Sequence, residues 1–458
     1  MTRPGLLSLG TLIALAAVAL ASACHREQDT RAVNILLVTV DTLRDDHCSV
    51  SGYMRQTTPT LEGLAREGTR MELAYAPTAT TGPTHASLFT SLYPIAHGVV
   101  KNGLPLVEEH DTLAEILSAS GYRTAAVVSS FVLDARFGYG QGFEDYADDF
   151  DPASATMRRS HFQGFTVDGA FDQPANRTTE TATRLLKRLG QGGRPFLLFV
   201  HYFDPHAPYV PPEPFASRYA AESSPDARLA AMVSAYDGEI AFTDREVGKL
   251  LEFLKTSELD RDTLVVVTAD HGEGLMQHGH MYHGVQIYEE AVRVPLLFRL
   301  PGRIEAGRSL AGPVELVDVM PTVLELVGVE PPKGQQGRSL AAALEAGASL
   351  DPERAVFLHR RHYAPEQIGN IPVAGEKFAI RAGPWKYIEG EAEGTRELFN
   401  LQDDPGELVN LYETSRAVAD ELQTRIAAWK ATYGRDTGDQ PGLSREDLER
   451  LRVLGYVQ

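Results

Sequence analysis

The chain runs to 458 residues, 43% of them hydrophobic and 23% charged, with a formal net charge of −19. That length and balance exclude a disordered or fibrous class and leave room for one large domain plus a smaller one, each with its own core. The negative charge also excludes nucleic acid and anionic membrane surfaces as general partners, because long-range repulsion opposes both.

The first segment reads as an address. Arg3 precedes an apolar stretch over 6–21, rich in Leu and Ala, too short to span a membrane comfortably and ending in Ala-Ser-Ala-Cys. This predicts a secretory signal peptide over 1–23. Cys24 after small residues resembles a lipobox, in which the cysteine is lipidated and becomes the mature N-terminus, although Ala21 stands where Leu is favoured. The predicted location is the periplasmic side of a bacterial membrane, held there by a lipid anchor only. Ordinary cleavage after the same Ala-x-Ala, giving a soluble periplasmic or secreted protein, is the alternative. The other cysteine is Cys48, and we favour lipidation of Cys24 over a disulfide between the two.

A polar tether over 24–33 leads into Asn-Ile-Leu-Leu-Val-Thr-Val at Asn34–Val40, an apolar, β-branched run typical of a strand buried on both faces, which ends abruptly at Asp41. In Thr-Gly-Pro-Thr-His at 81–85, Pro83 falls in the first turn of a predicted helix whose apolar run is Ala86, Leu88, Phe89 and Leu92, with Thr81 at its mouth. Free backbone N–H groups and the positive end of the helix dipole favour a phosphate or sulfate group there. An isolated threonine before a helix is most often only an N-cap, so its partners decide. A helix over 113–120 and a strand over 123–128 continue the strand–helix alternation expected of a mainly parallel sheet covered on both faces, in a domain over 34–345. The polar, glycine-bearing segment 150–182 reads as an insertion, of the kind that shapes a substrate pocket.

Histidines then cluster. His201 and His206 flank Asp204, and His271, His278, His280 and His283 crowd a short stretch, out of 14 in the chain. Thr-Leu-Val-Val-Val-Thr at 263–268 repeats the earlier pattern, a buried strand closing on Asp270 and His271 before Gly272 and Gly274. Ligands gather at the carboxyl ends of strands in open α/β sheets, so two strands ending in acids predict one shared metal site. His278 and His280 read as loop residues, and the spacing fits neither a zinc finger nor a His-Glu-x-x-His helix. From about 352 the pattern changes to short strands at 355–359, 377–381 and 385–388, a small antiparallel sheet with a helix over 415–433 packed on it, in a subdomain over 352–458. Ser444 and Asp447 offer a capping box for a last short helix.

These residues resemble the sulfatase family of the alkaline phosphatase superfamily. The elements are collinear from Asn34 to beyond Tyr412: Asn-Ile-Leu-Leu-Val-Thr-Val-Asp-Thr-Leu-Arg, Thr-Thr-Pro-Thr-Leu at 57–61, the Thr81 segment running to Tyr-Pro-Ile-Ala-His-Gly at 93–98, and Asp-Pro-His-Ala-Pro-Tyr at 204–209. Tyr-Asp-Gly-Glu-Ile at 236–240, Thr-Ala-Asp-His-Gly-Glu at 268–273, His-Gly-Val-Gln-Ile-Tyr-Glu-Glu at 283–290, Asp-Val-Met-Pro-Thr-Val-Leu at 318–324 and Glu-Leu-Phe-Asn-Leu-Gln-Asp-Asp-Pro-Gly-Glu at 397–407 follow.

The departures matter as much. Sulfatases proper use a cysteine or serine, oxidised to formylglycine, in Cys-x-Pro-Ser-Arg; here Thr81 takes the cysteine position and His85 the arginine. Thr42 replaces the second acid of the usual Asp-Asp pair, and Val-Val-Ser-Ser-Phe-Val-Leu-Asp at 127–134 stands where a Lys-x-His element would fall. Threonine nucleophiles occur in the wider superfamily, among nucleotide pyrophosphatase/phosphodiesterases and lipoteichoic acid synthases. The resemblance therefore implies one divalent cation held by Asp41, Asp270, His271 and Thr81. It also implies Thr81 as nucleophile, His85, His206 and His201 as donors to the ester's free oxygens, and His283 as the group that protonates the leaving oxygen. An imidazole at His271, where sulfatases proper have Asn or Gln on calcium, shifts the expected metal to zinc or manganese, with calcium as runner-up. The expected activity is hydrolysis of a small-molecule, glycan or lipid sulfate or phosphate ester, phosphoester preferred. The alternatives are an envelope phospho-group transferase of the same fold and a binding lipoprotein without catalysis.

Overall fold

The computed structural model describes residues 32–151, 153–155, 160–162, 165–167, 171–219, 226–368 and 371–434. Cys24, the signal peptide and the capping box at Ser444 lie outside them. The strands in chain order begin with β1 (Asn34–Val40), β2 (Thr69–Tyr75), β3 (Arg123–Val127) and β4 (Asp145–Ala147). A two-stranded hairpin, β5 (Ser160–Phe162) and β6 (Phe165–Val167), precedes β7 (Phe196–Tyr202) and β8 (Thr263–Ala269). A second short pair, β9 (Gly274–Leu275) and β10 (Met281–Tyr282), precedes β11 (Arg293–Arg299) and β12 (Arg308–Glu315).

Eight of these strands form one sheet in the order β12-β2-β11-β8-β1-β7-β3-β4, parallel throughout except for β11. Every residue of β7 and β8 is buried, which explains why both read as unbroken apolar runs: helices cover a parallel sheet on both faces, so no side of the strand meets water. The helix Ala175–Gly190 packs against β7 and the long helix Ala227–Thr256. It begins inside the segment that reads as an insertion, so the irregular stretch stops short of Ala175. Its amphipathic stripe of Ala182, Leu185, Leu186 and Leu189 falls at or beyond the end of that segment, which left only the polar first turns in view.

The late strands β13 (Val356–Ile368), β14 (Ile371–Ala382), β15 (Trp385–Gly390) and β16 (Thr395–Asn400) form an antiparallel meander. The helix Arg416–Tyr433 lays Leu422, Ile426 and Trp429 on Phe378, Ile380 and Tyr387. The architecture is thus the expected one, a large mainly parallel sheet between helices and a smaller antiparallel sheet with its own helix. β13 and β14 are longer than the predicted strands, because their outer halves alternate polar and apolar residues with no apolar run to mark them. Among the described residues no helix is long and apolar enough to cross a membrane.

Candidate metal centre and active site

Strand register builds the centre. β1 pairs with β8 so that Val40 lies opposite Ala269, and the residues that follow, Asp41 and Asp270, emerge side by side at two neighbouring strand ends. Both are buried. Asp270 Oδ1 accepts hydrogen bonds from the backbone N–H of Thr42 (3.2 Å) and His271 (2.8 Å). Its Oδ2 and both oxygens of Asp41 have no partner, and a buried carboxylate left so is stable only beside a positive charge. His271 supplies the next donor: Nδ1 lies 2.9 Å from the Gly272 carbonyl, which accepts only from N–H, so the Nε2 lone pair faces the acids. Nε2 is 3.8 Å from Asp41 Oδ1, 3.6 Å from Asp270 Oδ2 and 3.3 Å from Thr81 Oγ1. The ligand atoms of Asp41, Asp270 and His271 all lie within 4.8 Å of one another. Orphaned oxygens and an inward lone pair fit a divalent cation.

The nucleophile candidate sits on the helix Thr81–Thr90, all ten residues of which are buried. Thr80 occupies the N-cap position, without a side-chain cap bond, so Thr81 is the first helical residue and its hydroxyl is not consumed in capping. Gly82 N–H donates to Asn102 Oδ1 at 2.7 Å, and a Cβ at Gly82 would stand 2.9 Å from that oxygen and 2.8 Å from Tyr139 Oη. Only glycine fits. The bond fixes the Asn102 amide and leaves its buried Nδ2 without a hydrogen-bond partner, a donor beside Thr81 that sequence reasoning missed; an asparagine in Lys-Asn-Gly looks like any turn.

The histidines divide by tautomer. His201 is aligned with Thr39 across β1 and β7; its Nδ1 accepts from Ser129 N–H at 3.3 Å, so the hydrogen sits on Nε2, 3.5 Å from Asp41 Oδ2. His201 is therefore a donor towards the centre, not a ligand. His85 differs from expectation: Nδ1 is 2.8 Å from Thr81 O and Nε2 2.9 Å from Thr39 Oγ1. Both nitrogens are taken, which puts His85 behind Thr81 as a brace for the helix start and leaves it no N–H for a substrate oxygen. His206 donates from Nδ1 to Ala207 O (2.6 Å), stacks on Phe203 and meets the His283 ring at 5.1 Å. His283 lies 4.5 Å from the His271 ring, and its Nδ1 is 3.1 Å from Glu273 Oε1. The Tyr209 hydroxyl donates to the other Glu273 oxygen at 3.0 Å. Glu273 and Tyr209 had no assigned role from sequence; the one available signal for Glu273 was its place in the Asp-His-Gly-Glu run, two residues after His271. His278 and His280 stay apart from the cation set, His278 on Glu290 Oε1 at 2.7 Å.

Burial dominates the electrostatics. It pushes His85 and His206 down to about 3, His201 to about 4 and His283 well below its ordinary value, so these rings are neutral at neutral pH. Asp41 is raised by burial and then by Asp270. For His271 burial is overridden by Asp270 and Asp41, which raise it. Excess negative charge thus gathers where Asp41, Asp270 and His271 converge, and a cation there satisfies it in place of a proton. Glu273 is raised to about 7 by burial; the opposite shifts of Glu273 and His283 place their shared proton on the carboxyl side.

A cation set of two acids and an imidazole, with an alcohol at a buried helix start and imidazoles around it, defines a centre for esters of tetrahedral oxyanions. The profile of the sulfatase family matches residues 33–329, and that of the N-sulphoglucosamine sulphohydrolase C-terminal region matches 277–432. The chain belongs to the sulfatase family and is an ester hydrolase. It is 28% identical to the multifunctional alkaline phosphatase superfamily protein PehA of Trinickia caryophylli, over 88% of this chain and 96% of that one. It is 24% identical to an N-acetylglucosamine-6-O-sulfatase of Bacteroides thetaiotaomicron, over 88% and 86% of the two chains. The phosphonate monoester hydrolase of Agrobacterium radiobacter superposes with a TM-score of 0.73 at 22% identity, covering 90% of this chain and 98% of that one.

Proposed function

We propose that the protein hydrolyses phosphate or sulfate esters, phosphoesters by preference, with Thr81 as the nucleophile. The observation that carries this is Thr81 Oγ1, 3.3 Å from the inward nitrogen of His271 at the start of a buried helix. Formylglycine chemistry lacks its precursor here: position 81 is threonine, and Cys48 is buried with Sγ 3.1 Å from Arg44 O. Relatives named for a sulfatase and for a phosphonate monoester hydrolase support the substrate class.

Asp41, Asp270, His271 and the Thr81 hydroxyl would hold one divalent cation, zinc or manganese by preference, which when bound lowers the hydroxyl's pKa and neutralises charge on the ester. Thr81 Oγ1, its proton released to solvent, then bonds to phosphorus or sulfur as the bond to the leaving oxygen breaks. His201 Nε2–H and the free Asn102 amide donate to the non-bridging oxygens. The leaving oxygen takes a proton from His283 Nε2 while Glu273 returns one to Nδ1, so the buried pair acts without a free imidazolium. Water reverses the steps and frees the threonine. We also infer export and lipidation at Cys24, which the mass of the mature N-terminus would test.

The deciding experiment is a panel of aryl phosphate, bis-aryl phosphate, aryl phosphonate and aryl sulfate substrates, with metal content measured alongside. Turnover should be highest on a phosphorus ester and fall by about 10³-fold or more in Thr81→Ala. Turnover that survives that change means that the nucleophile is wrong, and sulfate preference reverses the substrate order.

A further inference from the structure

A cavity of about 850 Å³ lies between the helices Ala175–Gly190 and Ala227–Thr256 and the chain over 204–212. Pro212, Phe242 and Phe253 give it an apolar wall, and Val210, 69% exposed, adds apolar surface at its edge. Two acids line the same space, Asp204 and Glu239, only 2% and 3% exposed. One oxygen of each is tied to the backbone: Asp204 Oδ2 accepts from Ala175 N–H at 2.7 Å, and Glu239 Oε1 from Val210 N–H at 2.8 Å. Among the described residues, the second oxygen of each has neither a hydrogen bond nor an ion pair and is left for the cavity. The helix holds the two acids close, since Thr243, one turn after Glu239, donates from Oγ1 to the Asp204 carbonyl at 3.2 Å. The cations that line the cavity are spent elsewhere. Arg245 Nη2 and Lys249 Nζ both close on Glu246 Oε1, at 2.8 and 2.7 Å, and the Arg245 guanidinium lies over the Phe215 and Phe242 rings.

We propose that this cavity binds a small organic ammonium ion, its charged head between Asp204 and Glu239 and its hydrocarbon against Phe242, Phe253 and Pro212. Carboxylates this buried are costly without a counter-charge, and an ammonium, with three N–H donors, answers both free oxygens at once. Burial, with Asp172 and Glu246 nearby, raises Asp204 to about 7, and burial together with Asp204 raises Glu239 to about 9. Both shifts mark a place short of positive charge. A metal ion suits it less well: calcium or magnesium takes six or more oxygen ligands, whereas each acid here offers one. The volume and the aromatic wall are those of a pocket for a small organic molecule. The net charge of −19 favours the approach of cations. Neither acid belongs to the cation set or to the groups placed on the ester, so the site is independent of the Thr81 chemistry.

The full chain, with divalent cation present, is titrated calorimetrically at about pH 8, where an alkylamine is still protonated. The probes are benzylamine, its uncharged counterpart benzyl alcohol, and magnesium chloride added as a competitor. Benzylamine should bind at least about tenfold more tightly than benzyl alcohol, and magnesium should not displace it. Glu239→Gln keeps an acceptor for Val210 N–H and should remove that excess. Thr183→Trp, on the helix wall at a partly exposed position, should remove it by filling the cavity with both acids intact. Melting temperatures that do not fall are the check on folding. Equal affinity for benzylamine and benzyl alcohol, an excess that survives either folded variant, or displacement by magnesium overturns the site.

Discussion

Thr42 bears backbone strain next to the centre. A β-branched residue at φ 54° is disfavoured, yet here the twist turns its N–H to Asp270 Oδ1 and its carbonyl to the Tyr236 hydroxyl at 2.6 Å. The strain converts the end of β1 into a support for the neighbouring acid. Side-chain tautomers make a sharper claim at this scale. His271 presents a lone pair and His201 an N–H, though both are buried imidazoles beside the same acids. His271→Ala should therefore weaken cation binding by at least about tenfold, whereas His201→Ala should retain stoichiometric cation and lose turnover instead. Elemental analysis after dialysis, paired with initial rates, checks both; equal metal loss in the two variants would make His201 a ligand.

At the scale of elements, the loop that delivers His283 is held from outside. His278 bonds Glu290 and the Glu407 carbonyl (3.2 Å) and stacks on Tyr288 at 3.7 Å. Burial opposes the His278 charge, but the Glu290 bond overrides it and raises His278 above its ordinary 6.5. Burial likewise opposes the Glu290 charge, and His278 lowers it below its ordinary 4.5. The pair's stabilisation is thus complete from pH 4.5 to 6.5, lost above as pH rises through the folded His278 value and lost below as it falls through that of Glu290. In His278→Gln, melting temperature against pH should lose both of these slopes. Trp429 anchors the last helix, stacked on Phe357 at 5.0 Å and edge-on to Tyr93 at 5.1 Å. Trp429→Ala should cost about 3–5 kcal/mol in a urea melt.

For the whole molecule, buried ions join the two sheets. Arg354, just before β13, meets Asp318 at 2.6 and 2.8 Å and Glu315, the last residue of β12, at 3.1 Å. Lys386 on β15 lies between Glu289 (3.0 Å) and Glu407 (2.9 Å). Arg354→Met would leave two carboxylates buried without their cation, a loss of about 3–5 kcal/mol. Coincident unfolding of both sheets is the expected form of that loss, followed by tryptophan fluorescence and far-ultraviolet dichroism. Separate transitions in the unmodified chain would mean that these ion pairs do not couple the two sheets.

Sequence by itself determined the strands that carry the acids, the helix that begins at Thr81 and the late sheet with its helix. In each case the signal is local: an apolar run cut by Asp41 or Asp270, a proline in a first turn, short β-branched stretches between turns. It also determined the absence of a cysteine at position 81. Tertiary structure alone decided that Glu273 backs His283, that Asn102 grips Gly82, and that His85 braces the helix start. Composition and periodicity set which face of an element is buried. The distance between two side chains on different elements depends on strand register and loop path, which no single segment encodes.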